Sequence, residues 1–420
     1  MQIKLSLQSI CSLICSLAFT SIVLSAKVSE SATYYVATAG SDANSCTAGS
    51  QVKAKRTIVA GLGCLVAGDT LLVKGGTYTE ALINVVPSGT TTSPITLAAA
   101  SGEVVTIAAP AGAARVIEFP QSAHDIIIDG FILDGMSIAL NVIKSYGANR
   151  VQIRNSEIRN ARNAGILGGG SAWQFIRLKV HNNGSVDAYG PGYPGVYWGG
   201  DQTIIEWCEV YNQRNGPGIG MWSSGDTAAL SGNIVRYNKS YNNKRNALAP
   251  YTGRHDAHGI YCGSQNGTNN CLIYNNIVYG NDIGIGVVYN AINTKVYNNT
   301  VYANTSAQYG ACIDTYHSAS GTEVKNNICW QNVMLFSDNG RGTVFSNNLT
   351  SNPLFVNAAA NNFYLQPGSP AIDAGVVISE VLFDHSGVRR PQGNSYDIGA
   401  YEYANSQLLP PSNFRILGTQ

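Results

Sequence analysis

The sequence predicts an all-β fold in which short strands stack into a parallel β-helix of roughly ten coils with an N-terminal cap. Three observations predict it: a repeat whose starts lie 20 to 38 residues apart, a two-residue alternation of apolar side chains inside each repeat, and a low charge content. Charged residues make up 12% of the chain, whereas a typical soluble domain has about 25%. Long solvated helices need more Glu, Lys and Arg than this, so strands and tight turns fit the composition better.

The repeat is clearest in the segments that begin at Ile273, Val296 and Val324. Each has an apolar residue at its first position, another five residues later, and Asn eight residues later. Looser copies begin at Ile127, Ile153, Phe175, Ile205, Val235 and Val344. A unit of this size cannot bury a core alone, but stacked units can. We therefore expect Ile273, Val296 and Val324 to stack vertically and to point into the core.

The recurring Asn residues and the region before the repeats complete the predicted fold. Asn tolerates the left-handed conformation of a turn, and its amide can bond to the Asn of the next coil. We expect such a structural ladder from Asn183, Asn243, Asn281, Asn304 and Asn332. The segment from Gln51 to Gly63 is predicted to be a short helix that caps the first coil, whose strand edges would otherwise be unpaired.

The N-terminus has the pattern of a signal peptide, which we predict over residues 1–32 with cleavage at about 25–32. Lys4 precedes an apolar stretch over residues 5–24, and small residues follow it. No comparable apolar run recurs, so no membrane span is expected and the chain is predicted to be secreted, periplasmic or at the cell surface. The net charge of +1 does not suit nucleic acid, whose phosphate backbone needs a basic surface.

The chain has nine cysteines, of which Cys11 and Cys15 fall in the predicted signal peptide. An odd number remains, so at least one is unpaired or pairs elsewhere. The disulfides that we expect from short loop lengths are Cys46–Cys64 and Cys262–Cys271, with Cys312–Cys329 as a third and Cys208 unassigned. The absence of a C-x-x-C pair disfavours a structural zinc site.

Both ends of the chain beyond the signal peptide resemble a known family. The segments TYYVATAGSD from Thr33 and AGDTLLVKGGTY from Ala67 resemble the start of secreted bacterial right-handed parallel β-helix proteins of the pectate-lyase-like superfamily. The motifs GSPAIDAG from Gly368 and DIGAYE from Asp397, with Arg390-Pro391 between them, are similar to the choice-of-anchor segment that ends many such proteins.

The resemblance implies a right-handed β-helix over residues 33–350, a choice-of-anchor-like segment over 351–404 and a tail over 405–420. It is specific for fold and secretion rather than for activity. The superfamily includes polysaccharide lyases, glycoside hydrolases, uronan epimerases and proteins without known chemistry.

The candidate chemistry concentrates in the longest interval between repeats, from Val235 to Ile273. This interval contains the run Asn243-Lys244-Arg245-Asn246 and the run Arg254-His255-Asp256-Ala257-His258. Solenoids place function in loops of this kind.

The motif Asn-x-Arg-Asn recurs and predicts a column of positive charge. Its copies begin at Asn160, Asn212 and Asn243. If the copies occupy the same turn, Arg214 and Arg245 lie on neighbouring coils, with Arg162 two coils before Arg214. A guanidinium group binds a carboxylate through two hydrogen bonds, so the column suits acidic sugars. The alternative is a set of solvated turn charges.

Asp256 and Asp282 lie shortly before the equivalent glycines Gly259 and Gly284, so their side chains can approach each other on neighbouring coils. Two close carboxylates can hold Ca²⁺. They can also form the acid and nucleophile of a retaining glycosidase, which needs a separation of about 5 Å. The alternative is a pair of hydrogen-bonded turn aspartates.

Together with these residues, the family resemblance implies a secreted polysaccharide lyase that cleaves an acidic glycan by β-elimination and acts as a monomer. The reaction needs a cation to neutralise the uronate carboxylate, a base and an acid. The cation candidates are Arg214, Arg245 and a Ca²⁺ held by Asp256 and Asp282. The base candidates are Lys244, His255 and His258, and the acid candidates are Tyr261 and Tyr289. The residues assigned to substrate binding are Arg214, Arg254, Trp222, Tyr261 and Tyr289.

Two other functions remain open from the sequence. A glycoside hydrolase would use Asp256 together with Asp282 or Asp314. A non-catalytic surface or adhesion protein would need only the stacked coils and the C-terminal segment.

Overall fold

In the computed structural model, the chain that follows the predicted signal peptide winds into stacked coils of short strands. The structure describes residues 31–184, 193–222, 230–245, 257–263, 265–306, 310–316 and 318–404. All but the last two residues of the predicted signal peptide, and the predicted tail over 405–420, lie outside these ranges. Within them, no helix has the length and apolar character needed to cross a membrane.

The first half of the described chain contains one short helix and the strands β1 to β19. The helix is α1 (Ile58–Leu62), and a 3₁₀ turn precedes it at Gln51–Lys53. The strands are β1 (Thr33–Val36), β2 (Thr70–Val73), β3 (Gly76–Thr79), β4 (Leu82–Ile83), β5 (Ile95–Ala99), β6 (Val105–Ala108), β7 (Arg115–Phe119), β8 (His124–Asp129), β9 (Phe131–Asp134), β10 (Asn141–Ser145), β11 (Asn149–Arg154), β12 (Glu157–Arg159), β13 (Ile166–Gly168), β14 (Gln174–Ile176), β15 (Lys179–His181), β16 (Val196–Trp198), β17 (Ile204–Glu206), β18 (Glu209–Tyr211) and β19 (Ile219–Met221).

The second half continues the same pattern and ends in a hairpin. Its strands are β20 (Leu230–Ser231), β21 (Ile234–Arg236), β22 (Lys239–Tyr241), β23 (His258–Cys262), β24 (Thr268–Asn269), β25 (Leu272–Tyr274), β26 (Ile277–Tyr279), β27 (Ile283–Val287), β28 (Ala291–Ile292), β29 (Lys295–Tyr297), β30 (Thr300–Tyr302), β31 (Ala311–Thr315), β32 (Glu323–Lys325), β33 (Ile328–Trp330), β34 (Met334–Asp338), β35 (Val344–Ser346), β36 (Phe355–Asn357) and β37 (Asn362–Leu365). A second 3₁₀ turn spans Ala358–Ala360.

Three long parallel sheets run along the stack. Among the described residues, sheet A contains β1, β2, β5, β8, β11, β14, β17, β21, β25, β29, β32 and β35, and sheet B contains β3, β6, β9, β12, β15, β18, β22, β26, β30 and β33. Sheet C contains β4, β7, β10, β13, β16, β19, β23, β27, β31 and β34. Each coil passes through A, then B, then C, and neighbouring coils pair in parallel. The predicted parallel β-helix is confirmed.

The core lies between the three sheets and follows the predicted alternation. Ile273, Val296 and Val324 are neighbours in register on sheet A and are fully buried, as predicted. The stack continues at one end to Ile128 and at the other to Phe345, not to Ile127 and Val344 as the repeat predicted. Both errors arise because adjacent apolar residues satisfy the alternation in either register.

Two asparagine ladders fix the turns between the sheets. At the turn from B to C, the backbone N–H of Asn243 donates to the side chain of Asn281, and Asn281 donates in the same way to Asn304, which donates to Asn332. The predicted ladder is therefore confirmed, and Gln213 joins it between Asn183 and Asn243. The sequence analysis missed a second ladder at the turn from A to B, whose members are Asn238, Asn276, Asn299, Asn327 and Asn348.

Replacing one ladder residue should destabilise the fold measurably. Asn276 is fully buried, accepts the N–H of Asn238, and donates its amide to the carbonyl of Val235 and to Asn299. Asn276→Ala leaves these groups without partners, at a cost of about 1–3 kcal/mol. Urea unfolding followed by circular dichroism measures the loss. The exposed Asn290→Ala is the control, and equal stability of the two variants would contradict the structural role.

The predicted disulfides form, and the predicted cap is present, although its helix covers only Ile58–Leu62 of the predicted Gln51–Gly63. In α1, Ile58 and Leu62 are buried against the first coil, and Thr57 caps the helix by accepting the N–H of Ala60. The described part of the chain forms the disulfides Cys46–Cys64, Cys262–Cys271 and Cys312–Cys329, all of which were predicted. Cys208 keeps a free thiol, and burial raises its pKa to about 12. That thiol accepts the N–H of Leu178 and so occupies a turn position like that of the second ladder.

The segment after residue 350 folds back along the outside of the solenoid. Its hairpin of β36 and β37 is antiparallel, and Phe355 and Phe363 pack with Ile277 and Ile328 of sheet B. Other side chains of the segment pack on Tyr274 and Tyr297 of sheet A and on Tyr237, which directly follows β21. These apolar contacts cover parts of the outer faces of sheets A and B.

Two buried groups of this segment give opposite pH dependences. Burial lowers the pKa of His385 to about 4, against an ordinary value of about 6.5. Its stabilising contribution is therefore complete above about pH 6.5 and is lost as the pH falls towards 4. Burial and the nearby Glu402 raise the pKa of Asp397 to about 6. The contribution of Asp397 is complete below its ordinary pKa and is lost as the pH rises through about 6.

Because the two effects oppose each other between about pH 4 and 6, single variants should separate them. Relative to wild type, His385→Gln should gain stability as the pH falls through this window, and Asp397→Asn should lose it. The expected slope is on the order of 1 kcal/mol per pH unit for each. Urea unfolding at several pH values measures both slopes. Parallel pH profiles of wild type and both variants would contradict the prediction.

Candidate functional site

The outer face of sheet C carries most of the described candidate residues. Its central column consists of side chains that are neighbours in register, Leu167, Tyr197, Gly220, Tyr261, Gly286 and Asp314. The alternating residues of the same strands, such as Ile260 and Ile285, point into the core and are fully buried. We refer to this surface as the sheet C outer face.

Two glycines in this column make room for larger side chains. A Cβ on Gly220 would lie 2.5 Å from the ring of Tyr261, and a Cβ on Gly286 would lie 2.5 Å from Cδ2 of His258. The aromatic ring of Tyr261 therefore lies over the preceding strand, and the imidazole of His258 lies over the following one. Neither position tolerates a larger residue without displacement of its neighbour.

His258 and Asp314 approach each other across Gly286. The distance from His258 Nε2 to Asp314 Oδ2 is 3.8 Å, although the two residues belong to strands separated by β27. The side chain of Asp314 is 1% exposed and that of His258 is 15% exposed. Within the described residues, Nε2 of His258 is buried and has no hydrogen-bond partner. Because buried polar atoms are nearly always paired, this nitrogen makes His258 the leading candidate for chemistry on this face.

The repeated Asn-x-Arg-Asn motif does not have the register that the sequence predicted. Ladder bonds join Gln213 to Asn243, so Lys244, and not Arg245, occupies the turn position of Arg214. Arg245 lies one residue further on. The error arises because Asn242-Asn243 offers two alignments to the motif. Arg214 is exposed.

Asp282 accepts hydrogen bonds from two backbone N–H groups at the edge of the sheet C outer face. Its Oδ2 accepts the N–H groups of Arg245 at 2.8 Å and of Ala257 at 3.1 Å. It thereby holds together the two ends of the segment 246–256. Its Oδ1 lies 3.4 Å from Nζ of Lys244, which also donates to Thr305 Oγ1 at 3.2 Å. Since Ala257 precedes His258, this cluster also fixes the start of β23.

Aromatic side chains line the other end of the same strands. The rings of Trp222 and Tyr289 are 4.6 Å apart, those of Trp222 and Tyr261 are 6.3 Å apart, and those of His258 and Tyr261 are 5.8 Å apart. Burial, with the neighbouring phenols of Tyr197 and Tyr289, raises the pKa of Tyr261 well above its ordinary value. Tyr261 therefore keeps its proton at neutral pH and can donate it.

The structure brings together only some of the predicted site residues. His258, Tyr261, Trp222 and Tyr289 lie on the sheet C outer face or at its end, and Lys244, Arg245 and Asp282 lie at its edge. Arg254, His255 and Asp256 lie outside the described residues. In the ranges that the structure describes, no group of three or more His, Cys, Asp and Glu residues is arranged to hold a metal ion. The Ca²⁺ site at Asp256 and Asp282 stays a prediction.

The sequence analysis missed the two glycines and the pairing of His258 with Asp314. Asp314 was considered only as an alternative carboxylate for hydrolysis. The available signal was the second glycine of Ile283-Gly284-Ile285-Gly286, which falls where the alternation predicts an outward side chain. A missing side chain within a strand often marks a place where another group approaches closely.

The fold and this face define a parallel β-helix protein with a candidate site on one sheet. The chain belongs to the family described as "Right handed beta helix region", whose model matches residues 132–364. It is 28% identical over 374 residues to "Uncharacterized protein YwoF" of Bacillus subtilis (strain 168), with coverage of 76% of this chain and 74% of that protein.

Two solved structures show the same fold. Pectate lyase Pel9A matches with a TM-score of 0.67 at 18% identity, over 90% of this chain and 97% of that one. An alginate lyase from Paenibacillus sp. str. FPU-7 matches with a TM-score of 0.51 at 18% identity, over 70% of this chain and 95% of that one. At this identity the likeness establishes a common fold and not a common activity.

Proposed function

We propose that the protein is a secreted polysaccharide lyase that acts as a monomer and cleaves an acidic, uronate-containing glycan by β-elimination on the sheet C outer face. The observation that carries the proposal is the buried Nε2 of His258 beside the buried carboxylate of Asp314. Relatives of the same fold that are named as pectate and alginate lyases support the substrate class. The three disulfides of the described chain suit an oxidising compartment outside the cytosol.

β-Elimination needs a base, an acid and a positive charge, and we assign each of them to described residues. His258 removes the proton from C5 of the uronate, and the carboxylate of Asp314 stabilises the imidazolium that forms. The electron pair of the broken C5–H bond forms the C4–C5 double bond while the C4–O bond breaks. Tyr261, which keeps its proton, donates it to the departing oxygen. Lys244, Arg245 and the exposed Arg214 provide positive charge for the substrate carboxylates.

Lys244 is less suited to be the base than His258. The side chain of Lys244 is 43% exposed, and its Nζ lies 3.4 Å from Oδ1 of Asp282 and donates to the carbonyl of Asn281. Nε2 of His258, in contrast, has no hydrogen-bond partner among the described residues. His255 was an equal candidate in the sequence and lies outside the described residues.

Ca²⁺ held by Asp256 and Asp282 remains part of the proposal as a second means of neutralising the uronate carboxylate. Asp282 already accepts two backbone N–H groups and lies beside Lys244, so a cation there would compete with the ammonium group. Treatment with EDTA followed by Ca²⁺ addition tests the ion, with turnover and thermal unfolding both measured. If EDTA lowers turnover and the unfolding temperature and Ca²⁺ restores them, the site is supported. If neither quantity changes, Ca²⁺ is removed from the proposal.

A substrate screen tests the function itself. Purified protein is incubated with pectate, alginate and glycosaminoglycans, and ultraviolet absorbance and reducing ends are followed together. β-Elimination gives unsaturated products that absorb in the ultraviolet. New reducing ends without this absorbance would replace the lyase by a glycoside hydrolase. Binding without any cleavage would favour a surface or adhesion protein.

A further inference from the structure

A second cluster of charge lies on the sheet C outer face, towards the N-terminal end of the solenoid. Lys144 on β10 is in register with Glu118 on β7 and with Leu167 on β13. Leu167 is in turn in register with Tyr197. Lys144 therefore belongs to the same outward column as Tyr261. Arg115 at the start of β7 lies close enough to Lys144 for its charge to affect that residue.

Among the residues that the structure describes, these two cations have no acidic partner at bonding distance. Within the described chain, neither Arg115 nor Lys144 forms a salt bridge. Nε of Arg115 is buried without a hydrogen-bond partner, while its Nη1 donates to the carbonyl of Ala114 at 2.7 Å. Nζ of Lys144 lies 4.8 Å from the ring centre of Tyr146. Glu118 accepts the side-chain amide of Asn84 at 3.2 Å.

The surroundings make a positive charge costly here unless an anion is present. Burial, and then the charge of Arg115, lower the pKa of Lys144, whereas Glu118 opposes the shift. A carboxylate placed between the two cations would supply the missing acceptor for Nε of Arg115 and would offset the repulsion between them. Arg offers a planar array of donors that matches a carboxylate, and Lys adds a point charge.

The distance to His258 fits a polymer that runs along the solenoid. Sheet C places four strand steps between β10 and β23, through β13, β16 and β19. At about 4.8 Å per step this is roughly 19 Å, which several sugar units span. The column between them presents Leu167, Tyr197 and Gly220, which carry no charge. Sugar rings can lie on this floor while carboxylates are held at its two ends.

We propose that Arg115 and Lys144 form a distal subsite for a uronate carboxylate, which selects long acidic chains over short ones. The proposal rests on the proposed function, because it assumes that the same polymer reaches His258. It adds a specificity determinant that lies several sugar units from the cleaved bond.

Kinetics on substrates of two lengths test the subsite. Lys144→Ala and Arg115→Ala should each raise KM for a long polyuronate by about tenfold to a hundredfold, the effect of one lost charge-assisted hydrogen bond. Their kcat should stay unchanged, and KM for a trimer, which is too short to reach the subsite, should not move. Lys144→Arg should retain most of the affinity. The exposed Lys179→Ala on sheet B is the matched control, and thermal unfolding checks that every variant is folded.

Binding can be measured without turnover by electrophoresis through gels that contain pectate, alginate or neutral dextran. Retardation of the wild type by a polyuronate, and its loss in the Lys144→Ala and Arg115→Ala variants, would support the subsite. Cleavage and retardation that are the same in wild type and variants would overturn the subsite and leave the proposed function standing. A wild type that neither binds nor cleaves any polyuronate would overturn the proposed function, and the subsite with it.

Discussion

His258→Ala is expected to reduce kcat by about 10²–10⁴-fold, because removal of a general base typically has an effect of this size. The melting transition should change little. Within the described residues, Nε2 of His258 forms no hydrogen bond, and the side chain lies on the outer face rather than in the core. A matched control is His124→Ala, whose side chain is 42% exposed and pairs with Asp125 on sheet A. The measurement is turnover of the best polyuronate beside thermal unfolding.

Gly286→Ala tests the same site without removing a titratable group. The added methyl would lie 2.5 Å from Cδ2 and 2.7 Å from Nε2 of His258, so the imidazole must leave its position beside Asp314. We expect kcat to fall with His258 still present. Gly63→Ala is the control, because its φ of −67° suits alanine and its nearest neighbour lies 3.5 Å from the new Cβ. Activity within twofold of wild type in both His258→Ala and Gly286→Ala would place the site elsewhere.

The parts of the fold that the sequence predicted correctly depend on local spacing. The repeat has an apolar residue, a second one five residues later and an Asn eight residues later. This spacing is sufficient to place Ile273, Val296 and Val324 in one stack, because each coil repeats the same turns. The disulfides followed for a similar reason, since each joins cysteines that are near in sequence. The predicted register was wrong at Ile127, Val344 and Asn242-Asn243, because the local sequence there fits two alignments equally well.

The candidate site was harder to predict because it depends on contacts between coils. His258 meets Asp314 only because the intervening Gly286 has no side chain, and the loops between these strands differ in length. The sequence pointed to the interval that contains Lys244 and His258 as the candidate site. It could not show that Asp282 binds the backbone at both ends of segment 246–256, because that contact joins two coils whose relative register was uncertain.

Arg390→Ala is expected to produce the largest loss of stability among single substitutions in the C-terminal segment. Arg390 and Glu402 are both fully buried, and Nη1 of Arg390 lies 2.5 Å from Oε1 of Glu402. Nη2 of Arg390 donates to the carbonyl of Gly399 at 2.8 Å and to the side chain of Asn275 at 3.0 Å. Arg390 therefore joins the folded-back segment to the turn between sheets A and B, where Asn275 lies.

Removal of the guanidinium leaves the carboxylate of Glu402 buried without its partner charge, which typically costs about 3–5 kcal/mol. Arg390→Lys should recover only part of the loss, because a single ammonium cannot replace the planar set of donors. The double variant Arg390→Met with Glu402→Gln should be more stable than Arg390→Ala, because it leaves no uncompensated charge. Urea unfolding measures all three, with the exposed neighbour Arg389→Ala as control. Surface substitutions typically change the free energy of unfolding by about 0.5 kcal/mol. If the free energies of unfolding of Arg390→Ala and Arg389→Ala differ by less than about 1 kcal/mol, the ion pair does not hold the segment in place.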